Sequence, residues 1–438
     1  MNLRPNGTHA NLPQGRTSRP DVASKRDLGG SIFLYAGLIL LSGILQRVTS
    51  GELQGDFLLA EASSSRNYYM VLIGIAFYGW CLVKLIQLKG RLKLTTLHWP
   101  LISLVSLSVL SVLWSGSPFA TLIKSVGLIG TTVFAVVAVT NYGVDRVMRS
   151  LVVFFCAWII ASGLIAVVAR GYSFHSASDY YAIHAGLYKG FYYHKNAFAL
   201  VASIAMVIIP LAPKGIGVSR RLTYVCFYVC LILILMSGSA KTAFSVPAGL
   251  VLAWALPRIS YAARLFLAFS VMVFAPLIQA TDAISFISEQ ALALVGRDPT
   301  LTARTDIWGT VISFTHENSP FLGGGYGGGA WQKGLGDAVI ANVGSDTGHA
   351  HNGFLQAYAE LGAVGLAIVA CFFWAVISKL IKLSPGSHQY LGIATGVITV
   401  VIVNNTAGSS LIESNGIYWF MLCMTPYLCA KRRDDEQT

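Results

Sequence analysis

Apolar runs of about 16 to 23 residues, broken by short polar segments, recur along this chain. Each is long enough to cross a ~30 Å hydrocarbon layer as a helix. Barrel strands would be about half that length and would alternate in polarity. Helices are the form in which every backbone N–H and C=O is paired within its own segment, as lipid requires. The first run spans Ser31 to about Gln46. Others centre near Ile75, Val105, Ile129, Ala157, Ala205, Leu231, Gly249, Ser270, Ala367, Gly396 and Phe420. The pattern predicts an all-α polytopic membrane protein with about twelve transmembrane helices, the eighth (Thr242 to Leu256) short. Residues 1–29 read as a polar tail, 30–280 as helices one to nine and 281–350 as one large loop. Residues 351–430 read as the last three helices and 431–438 as a second tail.

Composition agrees with this pattern: 55% of residues are hydrophobic, 11% are charged and the mean hydropathy is +0.63. A soluble globular domain is excluded. The net charge of +12 then needs a cause. With the N-terminus inside, the cytoplasmic segments collect roughly two thirds of the basic residues, from Arg4 and Arg26 through Arg146 and Lys382 to Lys431. The excess therefore reports orientation, with both termini cytoplasmic. Nucleic-acid binding does not explain it, because the basic residues are spread over loops instead of being clustered with aromatics. All seven cysteines fall in the apolar runs or at their cytoplasmic ends, without metal-binding spacing, and read as packing residues. The N-terminal segment is too long and polar for a signal-peptide head, so the first run reads as a retained helix.

Eight basic residues defy the orientation bias. Lys124, Arg170, Lys189, Lys195, Lys241, Arg297, Arg304 and Lys333 fall on the predicted extracytoplasmic side. One such residue can simply snorkel to a lipid phosphate. Several around one mouth fit a diphosphate better.

The predicted extracytoplasmic loop concentrates the polar chemistry. Asp282 to Val295 reads as a short amphipathic helix, lying in the interface or packed on the span ends. Thr305 is placed to cap a second helix through Ile307, Trp308, Val311 and Ile312, which Asn318-Ser319-Pro320 would stop. The run Gly323 to Gly329 lacks the Gly-Lys-Ser/Thr ending of a nucleotide loop. A flexible lid, or a close backbone approach to a sugar chain, is the expected use of these glycines. At the loop's end, Asn352 is a good N-cap for the next apolar run, and His351 would sit at its mouth with Tyr358 and Glu360 below. A histidine near neutral pH can take a proton from an attacking sugar hydroxyl, or can merely bond at headgroup depth. Zinc binding by His349, His351 and one of His175, His184, His194 or His316 has no ligand spacing to support it, and no metal or other cofactor is expected.

These residues resemble a family. His351-Asn352, nine residues, Gly362, two residues and Gly365 match the histidine signature of the O-antigen ligase and polymerase superfamily. Similar upstream elements are Trp114-Ser115 followed by Pro118, His194-Lys195-Asn196, Ser239-Ala240-Lys241-Thr242, and the pattern around Arg297, Arg304 and Trp308. Gly296-Arg297-Asp298-Pro299-Thr300-Leu301-Thr302 looks most like the exopolysaccharide polymerisation proteins of rhizobia and relatives.

The resemblance implies glycosyl transfer at the outer face of the bacterial inner membrane, from an undecaprenyl diphosphate-linked oligosaccharide to a glycan acceptor, with inversion. It implies His351 and Arg304 as catalytic residues, with Arg297, Lys241, Lys195 and His194 binding the diphosphate. Asn352 and His349 would support the acceptor or the helix cap. Membrane lipids, a chain-length regulator and export proteins are the implied partners. Lys241 departs from the family pattern, in which many relatives carry arginine, and so lacks a bidentate fork. A polymerase and a ligase remain open on the same chemistry. A transporter would need ionisable residues along its spans, and almost none carry any.

Overall fold

The computed structural model describes residues 27–49, 68–177, 184–266, 301–344, 347–383 and 389–431. Within them the chain forms α1 (Leu28–Leu41), α2 (Ile44–Thr49), α3 (Tyr68–Gln87), α4 (Trp99–Leu110), α5 (Pro118–Val168), α6 (Arg170–Ser173), α7 (Lys195–Leu211) and α8 (Arg220–Ser237). It continues with α9 (Ala240–Ala255), α10 (Leu301–Asn318), α11 (Gly336–Val343), α12 (Gly353–Lys382), α13 (Leu391–Asn405) and α14 (Ile417–Ala430). By length and composition, α3, α5, α8, α12 and the segment Thr96–Leu113 can cross a membrane, and five shorter apolar helices accompany them. The expected span near Ser270, the amphipathic helix 282–295 and Arg297 lie outside the described residues.

Helix α5 accounts for two of the expected spans. Gly143, with φ 77° and ψ 159°, breaks it near the middle. The chain turns back at that break. Thr121 bonds the carbonyl of Tyr326 near one end, His175 beyond the other end accepts from Lys195, and Arg146 beside the break pairs with Asp27 at the start of α1 at 3.3 Å. Asp145 meets Lys431 at 3.0 Å and accepts from the Tyr390 hydroxyl at 2.6 Å. The first and last described residues, Asp27 and Lys431, thus lie at the same end of the helices, paired with neighbouring residues of α5.

The interior is organised around α14, which is buried from Ile417 through Cys429. Phe420 stacks on Phe134 of α5, and the Trp419 indole N–H donates to Thr132 at 2.9 Å. The outward faces stay apolar. Leu72, Ile75, Leu82, Val83 and Ile86 of α3 are all exposed, as suits helices whose solvent is lipid.

Helix α12 is interrupted at Gly362, where φ is 66° and ψ is −166°. The interruption frees backbone groups, and the segment 320–325 supplies their partners. Ala363 and Val364 donate to the carbonyls of Pro320 and Phe321 at 2.8 and 3.1 Å. Gly324 and Gly325 donate to the carbonyls of Ala359 and Glu360 at 2.9 and 3.0 Å. Each freed group named is satisfied inside the protein, which makes a broken helix tolerable at membrane depth. A Cβ on Gly362 would lie 2.2 Å from the Phe321 carbonyl, so only glycine fits.

This overturns the expectation of a glycine lid. The glycine-rich run is a packed joint: a Cβ on Gly325 would meet Ser115 at 2.5 Å, and Gly116 donates to the Gly324 carbonyl at 3.2 Å. Trp114 and Ser115 belong to the same joint, with the Trp114 indole N–H donating to the Leu322 carbonyl at 3.2 Å. The backbone approaches protein here. A second correction concerns Thr305, which lies inside α10 and not at its cap, because the helix begins four residues earlier at Leu301. Its end at Asn318, before Ser319-Pro320, is where the sequence places it.

Candidate functional site

The site lies at the end of the helices opposite Asp27 and Lys431. It starts from the peptide of Ala350, which is fully buried and held on both sides. The Trp308 indole N–H on α10 donates to its carbonyl at 3.0 Å, and its own N–H donates to Gln356 Oε1 at 2.8 Å. Gln356 Nε2 in turn donates to Glu360 Oε1 at 2.8 Å, which also accepts the Gly328 N–H at 2.9 Å. Glu360 thus braces the glycine joint and, through Gln356, the residue before His351. It does not take the place beside His351 that its sequence position suggests.

His351 adopts a positive φ of 50°, uncommon for a residue with a side chain. Strain of this kind persists where the surroundings fix it, and the Ala350 clamp on one side and Asn352 on the other do so. Asn352 Oδ1 accepts from the N–H groups of Phe354 and Leu355 at 3.0 and 3.2 Å, capping α12 as its sequence predicts. The His349 and His351 rings stand edge to face, 4.1 Å apart between centroids. The Nδ1 of His349 is buried with no hydrogen-bond partner among the described residues.

Arg304 from α10 and Lys241 from the first turn of α9 both face His351. Burial, then the neighbouring His349, Arg304 and Lys241, hold the His351 imidazole down to about 3 from its ordinary 6.5. His351 is therefore neutral at physiological pH and has a lone pair to offer. Burial also lowers Arg304 from its ordinary value, though a guanidinium keeps its charge.

Lys241 ties two groups of residues together. Besides facing Arg304 and His351, it faces His194, whose imidazole is driven down to about 2 by burial and by His184, His175, Lys195 and Lys241. The structure thus brings together His351, His349, Arg304, Lys241, His194 and Lys195. Arg297 lies outside the described residues. Lys333 and Arg170 do not join the group: Lys333 donates to the Trp114 carbonyl at 3.0 Å and Arg170 stands over the Phe174 ring.

A further wall of the site was missed by sequence reasoning. The segment between α13 and α14 places Glu413 against Lys241. The Tyr326 hydroxyl donates to the carbonyl of Ile412 at 2.8 Å, the Ser410 N–H donates to Asn405 Oδ1 at 2.9 Å, and Asn415 accepts from the Tyr78 hydroxyl. The available signal was the polar interruption Asn404 to Asn415 between two apolar runs. Chemically, a neutral imidazole beside fixed cations can accept a proton while the cations steady an anionic leaving group.

Residues 223–370 match the O-antigen ligase family. That stretch runs from α8 through the break in α12, so it contains Lys241, Arg304, His351 and Gly362. The chain is also 25% identical over 347 residues to the exopolysaccharide production protein ExoQ of Rhizobium meliloti (strain 1021), covering 74% of this chain and 76% of that relative. The O-antigen ligase-like region therefore holds the candidate base and two of its cations. His194, Lys195 and Glu413 come to it from outside the matched stretch. Both likenesses are to proteins named for surface-polysaccharide work, O-antigen ligation in one case and exopolysaccharide production in the other.

Proposed function

We propose that the protein polymerises undecaprenyl diphosphate-linked oligosaccharide repeats into exopolysaccharide at the outer face of the bacterial inner membrane. The observation that carries this reading is the meeting of neutral His351 with Arg304 and Lys241 at one end of the helices. A hydroxyl of the acceptor glycan attacks the anomeric carbon of the donor, forming a new C–O bond. The bond from that carbon to the diphosphate oxygen breaks, and the diphosphate leaves with the electron pair. His351 takes the hydroxyl proton, and Arg304 and Lys241 neutralise the charge that gathers on the diphosphate. Direct displacement inverts the anomeric configuration. Arg297, His194 and Lys195 complete the diphosphate-binding set, and Asn352 and His349 keep the acceptor side in order. The charge asymmetry of the loops supports an orientation with this end outside the cytoplasm, where a lipid-linked donor is the available activated sugar.

The name of the R. meliloti relative, an exopolysaccharide production protein, favours a product that is exopolysaccharide. The name of the matching family favours a second reading, transfer of the finished glycan to lipid A core or another acceptor. Deleting the gene and sizing the glycans separates them: single repeats accumulating on the lipid carrier indicate a polymerase, and long lipid-linked polymer indicates a ligase. His351→Ala is expected to abolish product at normal membrane abundance. Normal polymer from that variant would refute the chemistry.

A further inference from the structure

A cavity of about 110 Å³ opens at the end of α10 away from Arg304, lined by Phe314, Thr315, Asn318, Ser319 and Lys333. A cavity that size holds several waters, each taking about 10–15 Å³ of it, and so has room for one sugar ring. Lys333 is one of the eight basic residues on the predicted extracytoplasmic side, and it stands outside the group around His351. The walls are fixed. Asn318 Nδ2 donates to the Phe314 carbonyl at 2.8 Å, the Ser319 N–H to the Thr315 carbonyl at 2.9 Å, and Lys333 Nζ to the Trp114 carbonyl at 3.0 Å. Gly324 and Ala359, joined by a backbone hydrogen bond of 2.9 Å, bound the cavity from the glycine joint.

Polar atoms without partners face this space. Thr315 is only 3% exposed, and its hydroxyl makes no hydrogen bond among the described residues. Thr310 on the same helix returns its hydroxyl to the carbonyl four residues back at 2.8 Å, as helical threonines can. Thr315 does not. Asn318 Oδ1 and the Ser319 hydroxyl are likewise unbonded among the described residues, and the Lys333 ammonium has two N–H groups beyond the one given to Trp114. An aromatic ring beside hydroxyl, amide and ammonium groups suits a sugar, whose apolar face can cover the ring while its hydroxyls find partners. A lipid chain would leave the buried Thr315 hydroxyl unpaired.

The cavity connects with the site along two helices. α10 and the start of α12 lie side by side: Trp308 bonds Ala350 at the end near Arg304 and His351, and Thr315 and Ala359 line the cavity at the other. From Arg304 to Thr315 is about 16 Å at 1.5 Å per helical residue, the reach of a short oligosaccharide. We propose that the cavity is a glycan subsite, taking one sugar residue of the donor a few residues away from the bond that breaks. The inference rests on the glycosyl-transfer reading, in its polymerase or its ligase form. Arg304 and Lys241 hold the diphosphate, the cavity holds the glycan, and the anomeric carbon is presented to His351 by binding energy gained away from the reacting atoms.

The test compares two ligands on the purified full chain in phosphatidylcholine nanodiscs: undecaprenyl diphosphate alone, and the glycan-bearing undecaprenyl diphosphate that accumulates in the deletion strain. The native protein should bind the glycan-bearing lipid about tenfold tighter than the bare one. Thr315→Val removes the hydroxyl at nearly constant volume and should weaken the glycan-bearing lipid about three- to tenfold. Ser319→Phe fills the cavity and should erase the difference between the two lipids. Thr315→Ser keeps the hydroxyl and should bind as the native protein does. Affinity for the bare lipid should be unchanged in all three variants, which shows that the chain is folded. Equal affinity of the native protein for both lipids overturns this inference. So does a difference that survives both Thr315→Val and Ser319→Phe. Loss of both affinities together in those two variants would make the residues structural and overturn it too. The proposed function fails separately, through normal polymer from His351→Ala.

Discussion

The indole N–H of Trp308 donates to the carbonyl of Ala350 at 3.0 Å, tying helix α10, which carries Arg304, to the residue that precedes His351. One hydrogen bond therefore sets the spacing between the candidate base and the candidate leaving-group cation. Trp308→Phe keeps most of the ring packing and loses the donor, at a cost of about 1 kcal/mol in stability. The expected rate loss is larger, on the order of ten- to a hundredfold, because misplacing a reacting group costs more than one bond. Comparing polymer yield in membranes with the melting temperature of the purified variant checks this; equal, small losses in both would count against it.

Replacing Arg304 by lysine preserves one positive charge and removes the planar fork that can bind two phosphate oxygens. A drop in kcat of about tenfold or more is expected, at unchanged membrane abundance. Steady-state kinetics on a defined lipid-linked donor measures it. Full activity in Arg304→Lys would remove Arg304 from the leaving-group role.

The acid limb of the pH profile should lie unusually low. The His351 imidazole is held down to about 3 from 6.5, so as pH falls below 6.5 the folded free enzyme keeps its neutral base. For kcat/KM, which reports the free enzyme, no loss attributable to His351 is expected between pH 8 and about 5. A bound diphosphate beside the ring favours imidazolium, so the acid limb in kcat should stand higher than that in kcat/KM. Stability follows the same linkage. The unfolded chain protonates this histidine near 6.5 and the folded chain near 3, so its contribution to stability declines as pH drops through that window. Paired kcat and kcat/KM profiles with the acid limb near 6.5 in both would contradict the assignment.

Gly362→Ala should prevent normal folding. Its φ of 66° with ψ of −166° is a glycine conformation, and the added methyl would meet the Phe321 carbonyl at 2.2 Å. A loss of at least roughly 2 kcal/mol is expected, seen as reduced membrane abundance and a lower Tm. Gly79→Ala, on the exposed face of α3 with nothing within 4 Å of the new methyl, is the matched control and should be neutral or slightly stabilising.

The residues of the site were legible in the chain because each broke a strong rule. Lys195, Lys241 and Arg304 are basic on the side that the predicted topology keeps neutral, and His351-Asn352 heads an apolar run with a capping residue. Residues that break no rule were passed over. Gln356 and Glu413 are ordinary polar residues near helix ends; His175 and His184 were noted only as alternative third zinc ligands, because nothing local in the sequence marks them as neighbours of His194. The glycine-rich run was visible and misjudged, since glycine permits mobility and tight packing alike and only the neighbours distinguish the two.

By itself the sequence determined the helical membrane class and singled out the polar segment that carries Arg304 and His351, together with Lys195 and Lys241, as the candidate site. These follow from one-dimensional quantities: the length of apolar runs and the placement of charge relative to lipid. The tertiary structure decided how α5 folds back at Gly143, why α12 breaks at Gly362, and that Pro320 to Gly325 supply the missing backbone partners. It also decided that Lys241 faces both His351 and His194. Such facts depend on which distant segments satisfy one another's backbone bonds and charges, and spacing along a chain does not encode that pairing.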